Sequence, residues 1–189
     1  MRFIVTGTGR CGTGYMSQVA RKSGFPCGHE NVFTAEGPAP CTLPADSSWM
    51  AVPYLRRHPN VPIFLVHRHP AAVVSSFLGI QFFEKPSVYR DFLFAQNPAL
   101  RHLDSFNAAC AHYYDWNKKA LEHADVVSDI ENINWDAITD LAHLNKTLVE
   151  EALDQVPLTY NHKQRANIDP SKLPGYVWEM QAELQEKNT

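Results

Sequence analysis

The sequence is poor in several features that would fix its class at once. Its 189 residues carry 17 Lys and Arg against 20 Asp and Glu, a formal net charge of −3. No global basic field is present to recruit nucleic acid, so any anion site must be local, built from a few well-placed groups. No stretch approaches the roughly 18 consecutive apolar residues of a membrane span. The apolar run at Met1–Thr6 is too short for a secretory leader, and glycines follow it at once. The expectation is a cytoplasmic protein with no membrane partner. The four cysteines, Cys11, Cys27, Cys41 and Cys110, form no CxxC pair and keep no regular spacing. That argues against a disulfide scaffold and a compact zinc motif, and His29 close to Cys27 does not by itself make a metal site. No metal is expected, and the thiols read as reduced and mostly buried. Repeats, low-complexity tracts and interdomain linkers are also lacking, so residues 1–189 read as one domain.

What is present is an alternation of strand and helix signals. Phe3–Thr6 reads as a short buried strand because its apolar residues are unbroken and a glycine turn bounds it. Tyr15, Met16, Val19 and Ala20 then share one face of a helix ending near Gly24. From Gly24 to Pro62, proline and glycine are frequent, which predicts loops with one short strand near Cys27–Glu30. Ile63–His67 is a second strand, and Pro70 suits the first turn of a helix over Ala71–Leu78. Helical spacing of Leu103, Phe106, Cys110, Tyr113, Tyr114 and Leu121 predicts a long helix from about His102 to His123. Asp125–Ser128 is a weak third strand. Trp135, Ile138, Leu141 and Ala142 mark another helix, and Thr147–Glu150 has the form of a capping box opening one more. The pattern predicts an α/β three-layer sandwich around a parallel sheet of about five strands.

The segment Gly7-Thr8-Gly9-Arg10-Cys11-Gly12-Thr13-Gly14 joins the first strand to the first helix. Glycines let backbone approach a ligand, and unpaired N–H groups at a helix start face an anion, so the turn predicts phosphate binding. Gly7, Gly9 and Gly12 match the GxGxxG dinucleotide fingerprint, with Glu30 as a conceivable ribose acid, but that pattern is common by chance. The Gly7-x4-Gly12 spacing also matches a nucleoside-triphosphate loop. There the next residues should be Lys and Ser or Thr, whereas here they are Thr13 and Gly14, which argues against ATP or GTP hydrolysis.

Arg10-Cys11-Gly12-Thr13-Gly14-Tyr15 resembles a third kind of turn, the 5′-phosphosulfate loop of sulfotransferases that use 3′-phosphoadenosine 5′-phosphosulfate. Cys11 stands where that loop has serine and Gly14 where it has a second threonine. A second stretch, Val66-His67-Arg68-His69-Pro70 through Ser76, resembles the 3′-phosphate motif of the same family, in which a strand ends in Arg-x-Pro and a serine follows eight residues after the arginine. A dinucleotide enzyme has no need of this second motif. The resemblance covers about the first 80 residues and implies a P-loop nucleotide-binding fold, with the nucleotide held by Arg10, Cys11, Gly12, Thr13, Gly14, Tyr15, Arg68 and Ser76. It further implies transfer of a sulfuryl group to a hydroxyl or amine of a small-molecule or glycan acceptor; the rival readings are a nucleotide kinase or dinucleotide enzyme with a degenerate glycine loop, and a nucleotide-binding module without catalysis.

Such a transfer depends on alignment and on stabilising the leaving oxygens, the role implied for Arg10, and on a base for the acceptor's proton. Pro26-Cys27-Gly28-His29-Glu30 resembles the segment that supplies a glutamate base in protein-tyrosine sulfotransferases. Glu30 is therefore the preferred base, ahead of its neighbour His29. Tyr15 either stacks on adenine or belongs to the core. Phe82, Phe83, Tyr89 and Phe92 are candidates for an acceptor pocket, and equally for core. The basic run Asn161–Arg165 is assigned no site role, and neither are His67 and His69.

Overall fold

A computed structural model describes residues 1–40, 42–158 and 165–188. Five strands form an all-parallel sheet: β1 (Phe3–Thr6), β2 (Cys27–His29), β5 (Ala45–Ser47), β6 (Ile63–His67) and β7 (Val126–Asp129), in the order β2-β5-β1-β6-β7. A two-residue antiparallel pair, β3 (Phe33–Thr34) and β4 (Gly37–Pro38), stands apart from it. The helices are α1 (Thr13–Lys22), α2 (Pro70–Gly79), α3 (Val88–Gln96), α4 (Ser105–Leu121), α5 (Trp135–Ala142), α6 (Lys146–Gln155) and α7 (Gly175–Glu186).

The strands read as unbroken apolar runs because both faces of the sheet are covered. Phe3, Val5, Phe64, Val66 and Val126 point to one side, against Met16 and Val19 of α1, Ile138 of α5 and Val149 of α6. Their alternates Ile4, Ile63, Leu65 and Val127 point to the other side. There they meet Val73, Val74 and Phe77 of α2, Tyr113 and Trp116 of α4, and Val177 and Met180 of α7. Two cores on opposite faces of one sheet make the three layers. Among the described residues no helix is long and apolar enough to cross a membrane.

The expected strands β1, β2, β6 and β7 are present, the last shifted by one residue to Val126–Asp129. The long helix is shorter than expected and starts at Ser105, where Asp104 accepts the N–H of Asn107 as its cap. Ahead of it lie α3 and a 3-10 turn at Pro98–His102, neither of which hydrophobic periodicity had indicated. The stretch read as loop contains β5 and a 3-10 helix, Trp49–Arg57, and α7 was not foreseen either.

β5 escapes a hydrophobic reading because its sequence is Ala-Asp-Ser, yet all three residues are fully buried. It pairs with β1 on one side and β2 on the other. Its polar groups are matched: Asp46 accepts the N–H groups of Asn31 (3.2 Å), Val32 (3.1 Å) and Phe33 (3.0 Å), and Ser47 Oγ donates to the Thr13 carbonyl (2.7 Å). A buried carboxylate surrounded by backbone donors is tolerated where an unpaired one would not be. Asp46 thereby pins the chain just after β2, where Glu30 sits. Asp46→Ala would orphan these donors and is expected to lower unfolding free energy by about 3–4 kcal/mol, read as a shift of the urea midpoint. A change under about 1 kcal/mol would show that the turn does not depend on this carboxylate.

Candidate functional site

The carboxyl ends of β1, β2 and β6 open on one cavity of about 640 Å³, within the usual range for small-ligand sites. This is where open parallel sheets generally bind ligands, beside the strand at which the chain's winding reverses. β1 is that strand here, with β5 and β2 on one side and β6 and β7 on the other. Of the residues singled out from sequence, Arg10, Gly12, Thr13, Gly14, Tyr15, Glu30, Arg68 and Ser76 all line the cavity.

The glycine turn shapes one end. Gly12 caps α1 in the left-handed region (φ 116°), where a Cβ would also lie 2.5 Å from the Ile130 side chain. No side chain caps α1 and no acidic residue occupies its first turn. The same holds for α2, which follows Arg68. By contrast α3, α4, α5 and α6 are capped by Ser87, Asp104, Asn134 and Asn145. The positive ends of α1 and α2 are thus left unneutralised beside the cavity, a favourable setting for an anion. α7 also lacks a side-chain cap, so the feature supports the site without defining it.

Arg10 is held in the left-handed region (φ 73°), and its Nε donates to Ser76 Oγ at 2.9 Å, across 66 positions of sequence. That one hydrogen bond joins the two motifs. Burial lowers the Arg10 pKa, with the nearby Arg68 and Arg165 acting in the same direction and Cys11 and Glu30 opposing it. Crowded cations of this kind are relieved by an anion. Arg68 is mostly covered, with Nη2 3.4 Å from the exposed Glu131 carboxylate. An ion pair with so exposed a partner is weak. The Arg68 backbone is braced from below, where the Tyr113 hydroxyl lies 3.3 Å from its carbonyl oxygen and 2.6 Å from Gln181 Oε1 on α7.

Cys11 behaves differently from its neighbours. Its side chain is fully buried among core residues and does not line the cavity, and burial pushes its thiol up to about 12. Cys27 and Cys110 are buried and unbridged as well, while Cys41 lies outside the described residues. Tyr15 is 5% exposed and packs in the core, yet its edge reaches the cavity, so the two roles read for it are not exclusive. His67 and His69 do not line the cavity; His67 is buried in the fold and His69 packs edge-on against Trp178.

At the other end stand Glu30 and His29. Glu30 also has positive φ (60°), and its N–H donates to the Ser47 carbonyl at 3.3 Å. Burial first, then the Asp46 charge, raises the Glu30 pKa; hydrogen bonds from Tyr89 and Trp49 and the Arg10 charge pull the other way. His29 Nε2 lies 3.8 Å from Glu30 Oε1, and burial lowers its pKa, leaving a neutral imidazole near pH 7. Trp49, Phe77, Ile80, Phe82 and Tyr89 form the wall here, with Lys85 at the rim. Phe83 and Phe92, named with Phe82 and Tyr89 from sequence, pack into the core instead.

Sequence reasoning passed over Trp49 and Lys85, and it gave no site role to the basic run that ends in Arg165. Trp49 directly follows Ser48, whose hydroxyl accepts the Met50 N–H. A helix-capping serine ahead of an apolar run was the available signal. Arg165 reaches the cavity because Ala166 is tied to α2 at both ends, Ala166 N–H to Ser75 O (3.0 Å) and Ser75 Oγ to Ala166 O (2.5 Å). The rest of the basic run, residues 161–164, lies outside the described residues. Among the described residues no three His, Cys, Asp or Glu side chains come together as a metal would require. Comparison with models of known protein families finds no match, and comparison with curated proteins finds none.

The raised Glu30 pKa has a sign that can be tested. A carboxyl whose pKa is raised by folding contributes stability below its unfolded value, and loses that contribution as pH rises through its folded value. Glu30→Gln, which cannot ionise, is therefore expected to gain stability relative to the parent between about pH 4 and pH 7. The check is the difference in unfolding midpoint between the two proteins across that window. A difference that falls with pH would mean that the folded site favours the ionised form.

Proposed function

We propose that this chain is a sulfotransferase, which moves a sulfuryl group from 3′-phosphoadenosine 5′-phosphosulfate to a hydroxyl or amine of an acceptor. The observation that carries the reading is the 2.9 Å Arg10–Ser76 hydrogen bond, by which the glycine turn and the Arg-x-Pro…Ser motif meet at one cavity with Glu30 across it. The parallel sheet with β1 at its centre and a glycine turn leading into α1 supports a P-loop nucleotide-binding type of fold. The reading also draws on the resemblance of both motifs to that family.

The residues fit such a nucleotide on their own chemistry. Three cations, Arg10, Arg68 and Arg165, line one end of the cavity, and the uncapped start of α1 adds backbone donors. Arg68 and Ser76 are assigned to the 3′-phosphate, and Thr13 and Gly14 at the start of α1 to the 5′-phosphate. When bound, the donor supplies an activated sulfuryl group on that 5′-phosphate. Arg10 then neutralises charge on the phosphate oxygen as the sulfur–oxygen bond breaks. Glu30 takes the proton of the attacking hydroxyl or amine, and its raised pKa brings it closer to the neutral range where a base is most effective. Tyr15 offers its exposed edge to the adenine.

Two measurements test the assignment. Adenosine 3′,5′-bisphosphate is expected to raise the thermal midpoint far more than adenosine 5′-phosphate. Arg68→Ala should weaken the bisphosphate about ten- to hundredfold and leave the monophosphate nearly unchanged, because a charge-assisted contact is worth about 1.5–3 kcal/mol. Equal losses for both ligands would remove Arg68 from the 3′-phosphate site. Glu30→Gln is expected to keep nucleotide affinity while turnover falls by about 10²–10⁴. Turnover abolished by His29→Ala but not by Glu30→Gln would make the histidine the base.

A further inference from the structure

One wall of the cavity is made of rings. Phe77, on the last turn of α2, meets Phe82 at 5.0 Å and 70°, and Phe82 meets Trp49 at 6.3 Å and 78°. Three edge-to-face rings thus form one apolar surface. The chain after α2 folds back to build it: Phe82 N–H donates to the Phe77 carbonyl (3.0 Å), Lys85 N–H donates to the Gln81 carbonyl (2.9 Å), and Gln81 takes a left-handed φ of 54°. The wall starts at the glycine turn, where a Cβ on Gly9 would lie 3.1 Å from Phe77 Cζ and 3.7 Å from Trp49 Cδ2. The φ of Gly9 is outside the left-handed region, so the rings, not the backbone, leave no room for a side chain there. At the other end Trp49 stands two positions after Ser47, whose carbonyl accepts the Glu30 N–H. Beyond Phe82, at the rim, is Lys85. Glu84 beside it accepts from the Ser105 hydroxyl at 2.9 Å, and among the described residues Lys85 forms no ion pair.

We propose that the acceptor is a flat aromatic hydroxy or amino compound with an acidic group at the end of its ring opposite the reacting atom. Trp49, Phe77 and Phe82 take its ring, and Lys85 takes its acid. This rests on the sulfotransferase reading. Phe77, Ile80 and Phe82 offer no hydrogen-bond partner, so a sugar pressed on this wall would leave hydroxyls with neither water nor protein to bond, which is costly. An aromatic ring loses nothing there and adds another edge-to-face contact. The charges set its direction. Arg10, Arg68 and Arg165 are assigned to the anions of the donor, which leaves Lys85 as the cation for the acceptor. Glu30 repels an acid and Lys85 attracts one, so the reacting hydroxyl or amine is the end that faces Arg10 and Glu30. There the acceptor oxygen or nitrogen forms its bond to sulfur. The bond from sulfur to the 5′-phosphate oxygen breaks, its electron pair leaving on adenosine 3′,5′-bisphosphate, and the acceptor's proton passes to Glu30.

The probes are 4-hydroxyphenylacetate, its neutral amide 4-hydroxyphenylacetamide, and N-acetylglucosamine. Each is titrated calorimetrically into the full chain, both free and saturated with adenosine 3′,5′-bisphosphate. The parent should bind the acid about two- to fivefold tighter than the amide, the range of a partly solvated ion pair, and the sugar more weakly than either. Lys85→Glu, at an exposed position where folding is not in question, should reverse the preference. With 3′-phosphoadenosine 5′-phosphosulfate present, the same reversal should appear in KM rather than in kcat. Phe82→Leu should weaken both phenols alike by about two- to tenfold, with the thermal midpoint as its folding control. An acid preference that is absent from the parent, or that survives Lys85→Glu, overturns the proposal. So does a sugar that binds as tightly as the phenols, or the absence of heat from either phenol in both forms of the protein. Failure of the bisphosphate to bind the parent counts instead against the sulfotransferase reading, and the titrations of the free protein still report which compound the ring wall takes.

Discussion

Gly7 lies so close to β6 that a Cβ there would stand 2.1 Å from the Val66 carbonyl oxygen and 2.6 Å from Cys11 Sγ. Its φ of 152° is at the edge of the region that side chains avoid. Because nothing projects from this position, the turn after β1 folds down against the end of β6. Arg10 can then reach Ser76 on the helix that β6 leads into. Cys11 fills the space beneath, which explains a fully buried thiol in the middle of a glycine turn proposed to bind an anion. A larger residue at Gly7 would separate the two strand ends and with them the two motifs, even if each strand kept its place in the sheet.

The same logic of buried polar groups extends to the opposite end of the cavity. β5 is short and polar, and it is stable in the middle of a sheet only because Asp46 and Ser47 are fully engaged with the turn after β2 and with the start of α1. Thus the strand that holds Glu30 in place is also bonded to the helix that faces the proposed phosphate. The two ends of the cavity, proposed to take donor and acceptor, share a scaffold of hydrogen bonds as well as an apolar core, and such fully satisfied networks are rigid.

How much of this was legible in the sequence follows from the kind of signal each element gives. β1 and β6 announced themselves through unbroken apolar runs, and the residues immediately after them, Arg10, Gly12, Arg68 and Ser76, carried patterns whose spacing is specific. Those residues do converge on one cavity. β5 gave no apolar run, because its burial is supported by hydrogen bonds that only the folded chain reveals. α3 stayed hidden for another reason: only Phe92 and Leu93 are buried along it, so its periodicity is too short to read. Trp49 and Arg165 reach the cavity through tertiary ties, of Trp49 to Trp116 across 67 positions and of Ala166, next to Arg165, to Ser75 across 91, which no local pattern encodes. Cys11 looked like a ligand by alignment with a serine, but a thiol in that place is better matched to the core than to water.

Backbone strain is concentrated where the chemistry is assigned. Among the described residues four non-glycine positions have positive φ: Arg10, Glu30, Gln81 and His143. Two of them are the residues assigned to opposite sides of the transferred group, and Gln81 lies in the lip between Ile80 and Phe82, both of which line the cavity. Each such conformation costs on the order of 1–3 kcal/mol, and the surroundings must over-determine it for it to persist. Arg10 is over-determined by Ser76, and Glu30 by Ser47 and by the Asp46 bonds that fix the three residues after it. Both side chains also carry charge that burial opposes. Arg10 and Glu30 attract each other and line one cavity. Each is tied to a different element, the Arg10 side chain to Ser76 and the Glu30 backbone to Ser47. In the proposed reaction the cation and the carboxylate serve different atoms.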